Sequence, residues 1–233
     1  KNYHHLRFRF DRHVIDKNVL MKGFEFGLPP SAQSGASSVG NLILQRFMNG
    51  FGEQTVAAIT TAYRVDTMIL LPIINFGSGV ATVVAQNIGA KNYERANETL
   101  KIGVTIMAAI SICLTVLVLF TGEYLLTMFG LTRESVQIGN SFFRAIASCY
   151  IIYGLSMTLR GYLEGTGDMI FSGIAGFVSL IVRIVASYMF AGRFGNMVVA
   201  YAEAFSWVVL LSLYIIRFLK IRRITATNER NCA

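Results

Sequence analysis

The sequence predicts an all-α fold, a polytopic membrane bundle of six transmembrane helices. Three observations carry that prediction. Only 15% of the residues are charged while 54% are hydrophobic, where a soluble domain carries roughly 25% charge. The apolar residues fall into six runs, each near the ~20 residues a helix needs to cross the hydrocarbon. Basic residues gather on alternate connections between those runs. Barrel strands would be shorter and would alternate more strictly. Helices alone satisfy every backbone group in lipid without closing a sheet.

The runs are Glu25–Phe47, Ala57–Ala85, Ile102–Phe120, Gln137–Leu159, Met169–Ala191 and Met197–Phe218. The third has no charge, whereas the fourth, fifth and sixth are crossed by Arg144, Arg183 and Glu203. Residues 1–22 read as a linker or interfacial segment, 23–219 as the six-span body and 220–233 as a basic tail. The first segment alternates basic and aromatic residues (Phe8, Arg9, Phe10, Arg12). It fits a short interfacial helix or a connecting loop.

Fifteen basic residues lie on one side: Lys1, Arg7, Arg9, Arg12, Lys17, Lys22, Lys91, Arg95, Lys101, Arg160, Arg217, Lys220, Arg222, Arg223 and Arg230. Arg46, Arg133 and Arg193 lie on the other. The bias places both termini in the cytoplasm. The formal charge of +8 is then read as contact with anionic lipid, and nucleic acid is not an expected partner. Cys113 and Cys149 fall inside apolar runs and are expected to be small buried side chains. All three histidines, His4, His5 and His13, precede the first span, which leaves none for a zinc or acid–base site in the body. No nucleophile motif is present, so the chain is not expected to be an enzyme; whether it binds a metal is left open.

Polar residues inside the spans are expensive and mark candidate sites. Gln33, Ser37, Asn41 and Gln45 recur every fourth residue and form one stripe on the first helix. The stripe reads as the wall of a substrate cavity, with helix–helix packing through Gly35, Ala36 and Gly40 as the alternative. Pro29 and Pro30 in the first span and Pro72 in the second are candidate hinges. Tyr150 and Tyr153 are suited to hold a flat cation against their ring faces, or to pack in the core. Asp66, Arg144, Arg183 and Glu203 form the ionisable set. A pair between Glu203 and Arg144 or Arg183 would neutralise two costly charges, and a protonatable Glu203 on a coupling path is the alternative.

Gly79 to Ala96 reads GVATVVAQNIGAKNYERA. With Gln86, Asn87, Gly89, Ala90, Glu94, Arg95 and Ala96, it resembles the multidrug and toxic compound extrusion (MATE) family. Gly89 and Ala90 are expected to end one helix tightly. Three further pieces agree in order: Gly27-Leu28-Pro29, Phe51-Gly52 with Val56-Ala57-Ala58, and Arg160-Gly161 with Gly165, Gly167 and Asp168. The resemblance covers roughly Lys22 to Phe218.

It implies half of a twelve-helix, two-lobe transporter, here the C-terminal six-helix lobe, with Lys1–Lys22 as the end of the linker between lobes. The implied function is cation-coupled antiport exporting amphiphilic or cationic compounds across a bacterial cell membrane. The implied partners are an N-terminal six-helix lobe, membrane lipids and a small substrate. The implied coupling ion is Na⁺ or H⁺, with no tightly bound cofactor. A lipid-linked saccharide flippase and a non-transporting membrane fragment or subunit are the alternatives. One departure touches mechanism. Sodium-coupled members carry acids within the first and fourth spans of this lobe, and here Phe26–Gln45 and Ala145–Leu159 have none. Asp66 and Glu203 are the deep acids on offer.

Overall fold

The computed structural model describes residues 16–231. These form seven α-helices: α1 Lys17–Met48, α2 Glu53–Gly89, α3 Tyr93–Met128, α4 Arg133–Ala147, α5 Tyr150–Gly165, α6 Met169–Phe194 and α7 Val198–Asn231. No strand occurs among the described residues. The fourth expected span is two helices, α4 and α5, bent by 51°. With that pair counted as one unit, the described residues form six helical units in the expected order. The α2 and α3 helices are long and apolar enough to cross a bilayer, as is the stretch holding α6 and α7. The more polar α1 packs along α6.

The helices outrun the expected boundaries. α1 starts at Lys17, inside the segment expected as a linker, where the Asp16 carboxylate accepts from the Asn18 N–H at 2.8 Å. α7 continues through residue 220 to Asn231. A helix carries its own backbone hydrogen bonds and has no reason to end at the bilayer surface. The rest of the basic and aromatic segment, with the three histidines, lies outside the described residues, as does Cys232.

The break between α4 and α5 falls at Ser148–Cys149. The Cys149 N–H bonds back to the Ile146 carbonyl at 2.9 Å, a tighter turn than the α-helix makes. The freed Ala147 carbonyl accepts instead from the Thr115 hydroxyl of α3 at 2.8 Å. Neighbouring helices supply such bonds wherever a membrane helix breaks. The expected hinges behave differently: α1 runs through Pro29 and Pro30, and α2 through Pro72, without leaving helix.

The turn after α2 is closed by the family-like motif. The Asn92 N–H reaches the Asn87 carbonyl and the Lys91 N–H the Ile88 carbonyl, the paired bonds of a Schellman cap. The helix ends at Gly89 and Ala90 as expected, but the left-handed residue is Lys91, with φ 59°. Asn92 then caps α3 by accepting from the Arg95 N–H at 3.1 Å. At the opposite end, the two Phe-Gly turns place Gly52 at φ 92° and Gly195 at φ 55°, conformations that favour glycine.

In lipid, helices associate through close packing, not through exclusion of water. The tightest contact is α2 against α5. A side chain at Gly161 would strike the Gly77 carbonyl, and one at Gly165 would come 2.6 Å from the Ala81 carbonyl. Around this seam pack the fully buried Ile59, Ile73, Met107, Phe142, Phe143 and Tyr150. Outward-facing side chains on α3, such as Ile112, Val116 and Phe120, are large and apolar, as a lipid-facing surface requires. Cys113 is exposed among them and Cys149 is only partly buried, so neither is the buried side chain the sequence suggested. Cys113 lies on the outward face of α3, whereas Cys149 packs partly against the core.

Candidate functional site

The polar stripe of α1 opens onto two adjoining cavities. Asn41 and Gln45 line one of about 450 Å³ toward the α1–α2 turn. Gln33 and Ser37 line one of about 230 Å³ toward the other end of the bundle. Tyr153, Arg183 and Trp207 border both. The Tyr153 and Trp207 rings lie 4.7 Å apart with a 34° tilt, and together with Arg183 they form the septum between the cavities.

The charged groups of the larger cavity come from three helices. Arg183 of α6 donates to the Tyr63 hydroxyl of α2 at 2.8 Å and to the Glu203 carboxylate of α7 at 3.3 Å. Its guanidinium lies 5.2 Å from the centre of the Tyr63 ring. Asp66, also on α2, accepts a hydrogen bond from the Tyr150 hydroxyl of α5. Asp66 is 3% exposed and Glu203 8%. Two carboxylates against one guanidinium leave this trio with one net negative charge when all are ionised. Arg64 lines the same cavity but is exposed, where solvent screens its charge. Arg183 Nε and Thr60 Oγ1 are buried without a hydrogen-bond partner, so the cluster is not saturated with internal bonds. No group of three or more metal-ligating His, Cys, Asp or Glu residues occurs among the described residues.

The smaller cavity ends in a second ionic network. Arg160 of α5 donates to Glu164 at 2.7 Å and to the Gln33 side-chain oxygen of α1 at 3.1 Å. Ser172 of α6 donates to the same Glu164 at 2.7 Å. Arg217 of α7 donates to Asp168, in the α5–α6 turn, at 2.6 Å. Gln33 therefore belongs to this network as well as to the cavity wall.

Most of the residues singled out in the sequence meet here. Gln33, Ser37, Asn41, Gln45 and Tyr153 line the cavities, and Asp66, Arg183 and Glu203 are brought together. Tyr150 lines neither of these cavities: it is fully buried behind the wall, holding Asp66. Arg144 is exposed in the last turn of α4 and takes no part, so among the described residues Glu203 pairs with Arg183. Pro29 lines a small groove against Gly173 of α6. The turn residues Gln86, Asn87, Gly89, Ala90, Glu94 and Arg95 lie away from both cavities. Sequence reasoning missed Tyr63, Thr60 and the septum role of Trp207. Helical spacing was the available signal, since Tyr63 is three residues before Asp66 and Trp207 four after Glu203.

Comparison with known proteins agrees with this architecture. The MatE family model matches residues 30–189. "Probable multidrug resistance protein YoeA" of Bacillus subtilis is 22% identical over 216 residues, covering 88% of this chain and 46% of that protein. "Multidrug export protein MepA" of Staphylococcus saprophyticus is 24% identical over 77% of this chain and 40% of its own length. The chain thus spans about half the length of the curated relatives it matches. A solved multidrug resistance MATE family transporter of the MOP superfamily, in its outward-facing conformation, superposes with a TM-score of 0.78 at 23% identity, over 85% of this chain and 44% of that one.

Proposed function

The chain belongs to the MatE family, and we propose that it is the C-terminal lobe of a cation-coupled antiporter that exports amphiphilic cations. The relatives' names speak of multidrug resistance and export, and a substrate of that kind suits this cavity. The walls of the two adjoining cavities combine amide and hydroxyl groups of α1 with the Tyr153 and Trp207 rings, and ring faces attract organic cations. The machinery is completed by an N-terminal six-helix lobe, both termini face the cytoplasm, and the membrane is a bacterial cell membrane.

The observation that carries the reading is the charge imbalance of Asp66, Glu203 and Arg183 beside an open cavity. One residual negative charge in a membrane interior is costly and calls for one monovalent cation. A proton or Na⁺ supplies it in one half of the cycle and the ammonium of the substrate in the other. Exchange then follows from differential binding in two orientations, with no covalent step. Asp66 is the better exchange group, because Glu203 is already held by Arg183. The flippase alternative wants unpaired buried cations for phosphate, and here Arg183 is paired and Arg144 lies elsewhere.

The test is export of a cationic dye from efflux-deficient cells expressing the full-length protein, with the Na⁺ and proton gradients collapsed one at a time. Export that stops with one gradient supports coupled antiport. Export indifferent to both gradients, or no export, overturns it.

A further inference from the structure

A third hollow lies on the outside of the bundle, in the groove between α2 and α3, and at about 620 Å³ it is larger than either inner cavity. Its floor comes from Phe76, Val80 and Val83 of α2 and from Ile102 and Ile106 of α3. The groove exists because both helices place a glycine along it. Gly103 lies against Val80, and the position of a side chain at Gly79 is open space, with nothing within 4 Å. One end is different. There Arg95 and Glu98 line the groove, three residues apart on one face of α3. Both are exposed, and neither is in an ion pair among the described residues.

Position and length identify what fits. Arg95 lies in the first turn of α3, beside the Lys91–Asn92 turn that ends the membrane passage of α2. Ile106 lies eleven residues further along, about 16 Å at 1.5 Å per residue. That is roughly half of the ~30 Å hydrocarbon thickness. The groove is therefore about one leaflet deep, apolar within the leaflet and charged at the leaflet surface. A second helix would have to bring its own backbone into a slot floored by branched side chains, while a flexible acyl chain needs only width.

We propose that this groove binds one glycerophospholipid, with an acyl chain along Gly79 and Gly103 and the headgroup on Arg95 and Glu98. The pair of opposite charges selects the headgroup. Arg95 takes the phosphate, and Glu98 accepts from a primary ammonium, which donates hydrogen bonds that a trimethylammonium lacks. The preferred ligand is an ethanolamine phospholipid. The proposal is independent of what the inner cavity transports.

Native mass spectrometry of the full-length protein, titrated with POPE, POPC or POPG in detergent, tests it. The wild type retains one POPE about threefold more readily than POPC or POPG, the size of an interfacial ion-pair contribution. Glu98→Gln removes that preference while leaving an acyl chain bound. Gly79→Leu fills the groove and lowers retention of all three lipids about tenfold, because the close contacts that hold the acyl chain are lost. Dye export by Gly79→Leu, measured alongside, confirms that the variant folds. Retention unchanged by Gly79→Leu, equal retention of the three lipids by the wild type, or no retained lipid because the other half of the protein covers the groove, each overturns the proposal.

Discussion

The two ends of the internal cavity system use charge in opposite ways. Toward the α2–α3 turn, Arg160 meets Glu164 and Arg217 meets Asp168, two cations for two carboxylates. Gln33 and Ser172 take up further capacity of the first pair. That network ties α1, α5, α6 and α7 together and has no charge to spare. Toward the α1–α2 turn, Arg183 serves Glu203 and Tyr63 while Asp66, among the described residues, rests on a tyrosine hydroxyl. A paired network holds helices in one arrangement, whereas an unbalanced one is available for an exchangeable cation. The same residue types thus do structural work at one end and, in our reading, coupling at the other.

The contrast is broken most severely at Arg183. Arg183→Met leaves Glu203 buried beside Asp66 with no cation, and removing one partner of a buried pair costs about 3–5 kcal/mol. Folded yield and the thermal midpoint in detergent are expected to collapse with export. Asp66→Asn tests the other half of the claim. The amide oxygen still accepts from Tyr150, so yield stays near wild type while gradient-driven export falls tenfold or more, about 1.4 kcal/mol. Glu203→Gln sharpens the division of labour: a structural partner of Arg183 mainly loses yield, and selective loss of coupling at normal yield would assign it an exchange role too. At the balanced end, Glu164→Gln weakens bonds to Arg160 and Ser172 by about 1–2 kcal/mol, seen as a lower thermal midpoint with the coupling ratio unchanged. Smallest is Asn41→Leu, which removes one polar group from the cavity wall and raises the dye KM a few-fold, about 1 kcal/mol, with yield unaffected.

Much of this was legible in the sequence because membrane solvent leaves few choices. Run length and charge spacing are enough for the six helical units, and the four-residue recurrence of Gln33, Ser37, Asn41 and Gln45 points to one face whatever that face meets. The break at Ser148–Cys149 was not legible. No proline marks it, and its freed carbonyl is satisfied by Thr115, thirty-two residues away. Partner choice was hidden for the same reason. Arg144 and Arg183 look alike as single arginines within apolar runs, and helix rotation and the bend decide that one is exposed while the other reaches Glu203. Tyr150 and Tyr153 differ likewise. Three residues apart, they straddle the wall, so that one holds Asp66 from behind and the other faces the cavity.

In our reading Asp66 carries the exchangeable charge. Its most direct test is dye transport by the full-length protein in liposomes, with a proton gradient or a Na⁺ gradient imposed one at a time, in wild type and Asp66→Asn. One of the two gradients is expected to drive uptake by the wild type and neither to drive it in Asp66→Asn, although the variant is folded and inserted at the same density. Undiminished gradient-driven transport by Asp66→Asn would contradict it.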